Sequence, residues 1–139
     1  MTYMEINIHS SMLPHDEPSA SLVFYRDTLG FEIRNDVGCG GRHWITGGPH
    51  GQSDIDFGLH QPSSAPGITE DDRRTIGNMM AKRTYASINL EPTGIDRVFE
   101  RLQAGDADVV QEPTDQPYGV RDCAFRDPPG NLVRIQELR

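Results

Sequence analysis

The sequence repeats one pattern of residues at a fixed distance. Segment 23–30 reads Val-Phe-x-Arg-x-x-x-Gly, and segment 98–105 repeats all four identities. Each copy follows a short run of alternating apolar residues and precedes further strand-like runs. The repeat is too long and occurs too few times for a solenoid. We therefore expect an α+β fold in which two tandem βαβββ modules form one open-barrel cleft, with the helices on the outer faces.

Length and charge limit the domain organisation and the partners. A chain of 139 residues is expected to form a single domain, residues 1–139, with module one at about 4–62, a connecting helix at about 69–83 and module two at about 84–139. The net charge of −8 argues against a nucleic-acid partner, because no basic patch is present to meet phosphates. No apolar run is long enough for a membrane span.

Cysteine usage and the first residues bear on the compartment. Cys39 and Cys123 match no metal-ligand spacing and are predicted to be free thiols in a reducing environment. The segment 1–5 has neither the basic residues nor the apolar core of a signal peptide. These observations favour a cytoplasmic protein.

Apolar periodicity and turn residues predict the individual elements. Spacing of two predicts a strand over 4–13, and a helical face predicts a helix over 19–29 that ends at Gly30. The second helix is expected over 95–104, ending at Gly105. The remaining expectations are a bend at Gly40 and Gly41, strands at 43–46, 54–60, 85–90, 109–110, 120–126 and 132–138, a linker at 61–68, and loops at 112–117 and 127–131.

A further helix belongs to neither module. Thr69 is a good N-cap, and the acids at 70–72 suit the positive end of the helix dipole. We expect this helix to run to about Lys82. It could be a simple connector or a flap over the cleft.

Three segments together resemble a known superfamily. They are 21–31 (SLVFYRDTLGF) in module one, and 118–121 (YGVR) and 126–132 (RDPPGNL) in module two. In this order, on a visible repeat, the chain resembles the vicinal oxygen chelate superfamily, which includes glyoxalase I, the bleomycin resistance proteins and the extradiol dioxygenases. The two segments of module two are most similar to the bleomycin resistance branch.

The resemblance implies four positions for the family's divalent metal, at the first and last strands of each module. In this sequence they fall at Ser10, Asp56, Ser87 and Arg134. A serine hydroxyl is a poor donor, and a guanidinium does not ligate a cation. We therefore expect no metal and no cofactor at the usual site. His9 is one residue away, but neighbouring strand residues point to opposite faces.

Arg134 has two possible roles on the concave side of the sheet. It could pair with Asp56, which would replace the metal as a link between the modules, or it could bind a carboxylate, phosphate or enolate oxygen of a ligand. Asn89 lies on the same face as Ser87 and could also meet a ligand.

Aromatic and rim residues complete the predicted ligand-binding set. Trp44 either packs in the core or stacks on a flat ligand. His60 ends a strand and could line the cleft. Tyr118 and Arg121 follow a loop at the cleft mouth, although Arg121 could instead pair with Asp122, Glu112 or Asp115. The turn residues His15 and His50 are expected to be exposed. The full set is Ser10, Trp44, Asp56, His60, Ser87, Asn89, Tyr118, Arg121 and Arg134.

These features favour a metal-free small-molecule-binding protein, acting as a homodimer, that sequesters a toxic or antibiotic-like compound. One alternative is a lyase, isomerase or dioxygenase that uses displaced ligands such as His9, Asp56 and His60. Another is a metal-free enzyme with Arg134 as electrophile and Asp56 or His60 as base.

Overall fold

Two four-stranded sheets dominate the computed structural model, which describes residues 4–39, 42–62 and 66–138. Their strand orders are β1-β4-β3-β2 and β5-β8-β7-β6. The elements are β1 (Ser10–Pro14), α1 (Pro18–Leu22, continued by a π-helical turn Val23–Thr28), β2 (Glu32–Cys39), β3 (Arg42–Gly48), β4 (Asp56–His60), α2 (Glu70–Ala81), β5 (Ser87–Leu90), α3 (Ile95–Ala104), β6 (Asp108–Asp115), β7 (Val120–Arg126) and β8 (Leu132–Leu138).

The two modules have the same topology, which confirms the predicted architecture. In each one the first strand pairs in parallel with the last, and the other neighbours are antiparallel. Val23 and Val98 lie on equivalent helices, each between the first and second strands of its module. The described strands form two separate sheets that are not closed into a barrel.

Helices α1 and α3 each cover one face of the sheet of their own module. In α3 the residues Ile95, Phe99 and Leu102 are buried, at the spacing of one helical face. They belong to the same core as Val133 and Ile135 of β8. The residues that alternate with these core positions point to the other side of the sheet, which we call its open face.

The two repeated glycines end their helices by different means. Gly30 has a φ of +80°, a left-handed conformation that favours glycine. Gly105 has a φ of −88°, and Asp106 takes the positive value instead, 61°. A Cβ on Gly105 would lie 3.3 Å from Cγ2 of Thr28. The second glycine therefore allows helix α1 to approach closely rather than supplying the left-handed turn.

Two predicted elements differ from the structure. The first strand begins at Ser10, so residues 4–9 do not form the predicted part of this strand. Strand β6 runs through Pro113 and includes most of the expected 112–117 loop, because a bulged antiparallel pair tolerates proline at an edge strand. The Gly40–Gly41 bend and the centre of the 61–68 linker lie outside the described residues, as do the side chain of Cys39 and residues 1–3.

A buried carboxylate joins the modules. Tyr25 Oη donates to Oδ2 of Asp127 over 2.6 Å. The Asn131 side chain donates both to Asp127 Oδ2, over 2.9 Å, and to the carbonyl oxygen of Pro14, over 3.0 Å. Burial raises the pKa of Asp127, although the hydrogen bonds from Tyr25 and Asn131 act in the opposite direction. Helix α1 of module one is thus tied to the β7–β8 turn of module two.

Helix α2 has the predicted N-cap and lies beside that same turn. The Thr69 hydroxyl accepts from the backbone of Asp72, and the Asp72 carboxylate accepts from the backbone of Thr69. A Cβ on Gly130 would lie 2.9 Å from Cγ of Arg83, so the C-terminal end of the helix packs against the β7–β8 turn. This position agrees with a connector. No described helix is long and apolar enough to cross a membrane.

His15 is fully buried, which corrects the expectation that it is exposed in a turn. Its Nε2 donates to the carbonyl oxygen of His43 over 2.8 Å, and its Nδ1 has no hydrogen-bond partner among the described residues. Burial lowers its pKa below 6.5; the hydrogen bond to His43 opposes this, and the nearby rings of His43 and His60 add to it. His50 is exposed, as expected.

This burial predicts a loss of stability in mild acid. The unfolded chain binds a proton near pH 6.5 and the folded chain binds it only at lower pH, so the free energy of unfolding falls as the pH drops below 6.5. The slope is at most about 1.4 kcal/mol per pH unit. Urea titrations between pH 5 and 8 should show a shallower slope for His15→Gln and an unchanged slope for the exposed control His50→Gln. An equal slope in the wild type and His15→Gln would contradict the assignment.

Candidate functional site

The open face of sheet one contains an aspartate that is already paired. Ser10 is the register partner of Asp56, and Met12 lies directly over Gly58. Oδ1 of Asp56 accepts from Nη1 of Arg34 over 2.9 Å. Arg34 also donates to the carbonyl oxygens of four residues, Gly47, Pro49, Gln52 and Ile55. It therefore holds the β3–β4 turn and neutralises Asp56 at the same time.

The predicted histidine and tryptophan positions border this face. His9 Nε2 lies 3.9 Å from Oδ2 of Asp56, with its side chain 86% exposed. Nδ1 of His60 contacts the carbonyl oxygen of its neighbour Gln61 over 3.0 Å. Trp44 alternates with the buried Ile45 and so lies on the open face. It is half-buried and not part of the hydrophobic core.

The open face of sheet two is polar and is organised around a buried carboxylate. Asp122 is 3% exposed. Its Oδ1 accepts from Nε2 of Gln111 over 2.6 Å and from Nε2 of Gln116 over 3.0 Å. Burial raises its pKa, but the bonds from Gln116 and Gln111, the charge of Arg134 and a hydrogen bond from Tyr118 outweigh burial, so the pKa of Asp122 is lowered. The carboxylate is ionised and well supplied with donors.

Arg134 lies beside this carboxylate, and its side chain remains accessible to a ligand. Its Nη2 is 3.5 Å from Oδ2 of Asp122, and its side chain is 45% exposed. Asn89 is its register partner on β5, and Ser87 lies two residues earlier on the same face. The three side chains form a row of hydrogen-bonding groups in which Arg134 carries the only charge.

The predicted Arg134–Asp56 pair is wrong. Each of the two residues pairs within its own module, Asp56 with Arg34 and Arg134 with Asp122. The sequence alone did not identify Arg34, because it lies in a strand whose bulge changes the alternation of side chains. Arg121 does pair with Asp115, one of its three expected partners, over 3.3 Å. It also pairs with Asp96, over 2.8 Å.

The donor chemistry of the four family metal positions does not fit a divalent ion. Asp56 is bound to a guanidinium, and Arg134 brings a second positive charge. The register places Asn89, rather than Ser87, opposite Arg134. Neither a hydroxyl nor an amide replaces the carboxylate or imidazole that such a metal prefers. Within the described parts of the chain, no three His, Cys, Asp or Glu side chains are grouped to hold a metal.

A cavity of about 600 Å³ lies on the helix side, between the modules. We call it the seam cavity. Of the nine predicted ligand-binding residues it includes only Asn89. Its lining was not predicted because it combines ends of elements from both modules, which periodicity does not bring together. The lining residues are Leu29, Phe31, Pro49, Gly51, Gln52, Asn89, Leu90, Glu91, Pro92, Val98 and Ile135.

The fold and the sequence together define the family. The sequence profile of the Glyoxalase/Bleomycin resistance protein/Dioxygenase superfamily matches residues 7–135. The chain belongs to this superfamily, as the motifs in segments 21–31 and 118–132 predict. No curated protein matches its sequence.

Solved structures with the same fold superpose over nearly the whole chain. UcmS2 is 27% identical with a TM-score of 0.78, and the alignment covers 96% of this chain and 98% of UcmS2. A superfamily member from Sphaerobacter thermophilus DSM 20745 is 25% identical, with a TM-score of 0.76 and coverage of 97% and 99%. TnmS3, an antibiotic binding protein from Streptomyces sp. CB03234, is 23% identical, with a TM-score of 0.74 and coverage of 99% and 100%.

Proposed function

We propose that this protein binds a small, flat, oxygen-bearing molecule on the open faces of its sheets and sequesters it, as a toxic or antibiotic-like compound would require. The proposal rests on one observation: Arg134 is partly exposed beside a carboxylate that has other hydrogen-bond donors. Oδ1 of Asp122 already accepts from Gln111 and Gln116, so the carboxylate keeps two hydrogen bonds when Arg134 turns donors to a ligand oxygen. Asn89 and Ser87 extend the same row.

The fold supports a binding role. TnmS3 is described as an antibiotic binding protein and shares this architecture, so a scaffold of this shape can hold such a ligand. For this chain, we propose that Ser10, Asp56, His60 and Trp44 form one wall and that Ser87, Asn89 and Arg134 form the other. We propose that Tyr118 stands at the rim, whereas Arg121, which pairs with Asp96 of α3, lies on the helix side of β7 and is left out of the site.

We propose that a homodimer completes the site. Ser10 and Met12 on one open face, and Asn89 and Arg134 on the other, are all exposed in the single chain. The described contacts between the modules run instead through helix α1 and the β7–β8 turn. A second copy can cover each open face with the complementary one, and a two-fold pair closes both sites at once.

We propose that binding needs no metal and takes place in the cytoplasm. The Arg34–Asp56 pair and the charge of Arg134 disfavour a cation at the inherited positions. Cys123 is a buried free thiol whose pKa burial raises to about 11, so it is unreactive, which suits a reducing compartment.

The experiment compares 2-naphthoate with its neutral isostere 2-naphthamide by titration calorimetry, with and without EDTA. We expect 2-naphthoate to bind with one site per chain and Arg134→Gln to weaken it at least about tenfold, because a charge-assisted hydrogen bond is lost. Binding of 2-naphthamide should change little. The control is Arg97→Gln, an exposed arginine on α3.

Each outcome tests a separate part of the proposal. Binding that Arg97→Gln and Arg134→Gln reduce equally would reject Arg134 as the anchor. Loss of binding on chelation would reject the metal-free proposal, and turnover of the probe would favour an enzyme. Light scattering that gives the mass of one 139-residue chain at micromolar concentration would reject the dimer.

A further inference from the structure

The two modules meet along two interfaces, which we call seams: one at helix α1 and one at helix α3. The repeat makes the two seams equivalent in topology, but they differ in structure. On one seam, helix α1 faces module two around a cavity of about 260 Å³; the Tyr25–Asp127 hydrogen bond crosses this seam, and the Arg83–Asp108 ion pair lies beside it. On the other, helix α3 faces module one around the seam cavity of about 600 Å³. No described hydrogen bond between side chains crosses this second seam. The α1 seam is thus polar and joined by hydrogen bonds, and we call it the tied seam. The α3 seam is open and apolar.

The seam cavity has the composition of a ligand site. Its inner wall is apolar, formed by Leu90 and Ile135 of sheet two, Val98 of α3, and Leu29 and Phe31 of module one. Ligand pockets typically enclose about 300–1,000 Å³ with apolar walls and a few polar groups. Two of the apolar residues, Phe31 and Ile135, belong to the buried core, so the wall is rigid.

The polar groups lie on the β3–β4 turn and at the end of β5. Gln52 belongs to the turn that Arg34 fixes through the carbonyl oxygens of Pro49 and Gln52. Asn89 and Glu91 flank Leu90. Glu91 is the one charged side chain among the described lining residues, and no described cation pairs with it. The charge of the site is therefore negative, the opposite of the Arg134 face.

We infer that the seam cavity is a second binding site, for a flat apolar molecule that carries a positive charge next to Glu91. It shares only Asn89 with the proposed open-face site, lies mainly on the helix side of sheet two and differs from that site in the sign of its charge. The net charge of −8 adds a long-range attraction for such a cation.

The experiment uses the fluorescence of 9-aminoacridine, a planar cation, and of neutral acridine at pH 8. We expect 9-aminoacridine to bind at one site per chain and more tightly than acridine. Val98→Trp should fill the cavity and weaken both probes at least tenfold. The matched control is Val23→Trp, the repeat counterpart of Val98 on the tied seam, which should leave binding unchanged. Glu91→Gln should weaken 9-aminoacridine about 3–5-fold and acridine little, since the charge is exposed.

Further variants keep the proposal falsifiable. If Val98→Trp does not fold, Gln52→Trp blocks the cavity from an exposed turn and should have the same effect. Arg134→Gln should not alter 9-aminoacridine binding, so failure of the open-face site leaves this test intact. Equal effects of Val98→Trp and Val23→Trp would overturn the inference. Binding seen only after deletion of residues 1–8 would also overturn it, since the exposed segment 4–8 of a second copy would then be the occupant of the cavity.

Discussion

Asp127→Ala is expected to lower the free energy of unfolding by about 3–5 kcal/mol, because it removes the shared acceptor of a buried cluster. Tyr25 Oη loses its partner, and the backbone and side chain of Asn131 each lose one. All three groups are in sites from which water is excluded, since Tyr25 and Asp127 are each 1% exposed. Urea unfolding followed by circular dichroism measures the change.

A graded series separates the cluster from a general charge effect. Tyr25→Phe removes only one donor and should cost about 1–2 kcal/mol. Asp54→Ala, at an exposed turn position, should change stability by less than about 0.5 kcal/mol. If Asp127→Ala were no worse than Asp54→Ala, the carboxylate would not be the link between the modules.

Gly47→Ala is expected to prevent normal pairing of β2 with β3. A Cβ at this position would overlap the carbonyl oxygen of Glu32, an atom of the neighbouring strand that cannot move without breaking the sheet. We expect a loss of at least about 3 kcal/mol, at the upper end of overpacking effects, or insoluble protein.

A glycine elsewhere in the chain provides the control. Gly77 lies inside helix α2, and a Cβ there meets no atom within 4 Å. Gly77→Ala should raise stability by about 0.5–1 kcal/mol, because alanine favours the helix. Thermal melts of the two variants should move in opposite directions. A Gly47→Ala protein that melts with the wild type would show that β2 and β3 are not as closely packed as described.

The elements that could be predicted are those whose signal is local. Helix α3 matches its predicted bounds, because Ile95, Phe99 and Leu102 repeat at helical spacing and Gly105 follows. The Thr69 cap was also predictable, since capping depends on residues three apart. The 4–9 segment shows the opposite case. It has strand-like alternation, but a strand also requires a neighbouring strand, and β4 begins only at Asp56.

The ion pairs could be predicted only in part, because they depend on contacts between distant segments. Asp56 and Arg134 occupy corresponding positions in the two modules, yet Arg34 and Asp122 lie nearer to them within each module. The sequence contains many acidic and basic residues, so composition alone does not choose between partners. His15 was misjudged for the same reason. A turn position between two prolines suggests exposure, whereas packing against His43 buries it.

The unequal seams have a consequence for how such a chain can change over generations. After a duplication, residues on the tied seam remain constrained, because altering Tyr25 or Asp127 leaves a buried polar group unpaired. Residues such as Val98 and Leu90 are constrained only by the space they fill. Replacing them with apolar residues of similar volume lowers the free energy of unfolding by less than about 1.5 kcal/mol. One seam thus preserves the fold, while the residues of the other seam can change and acquire new ligands.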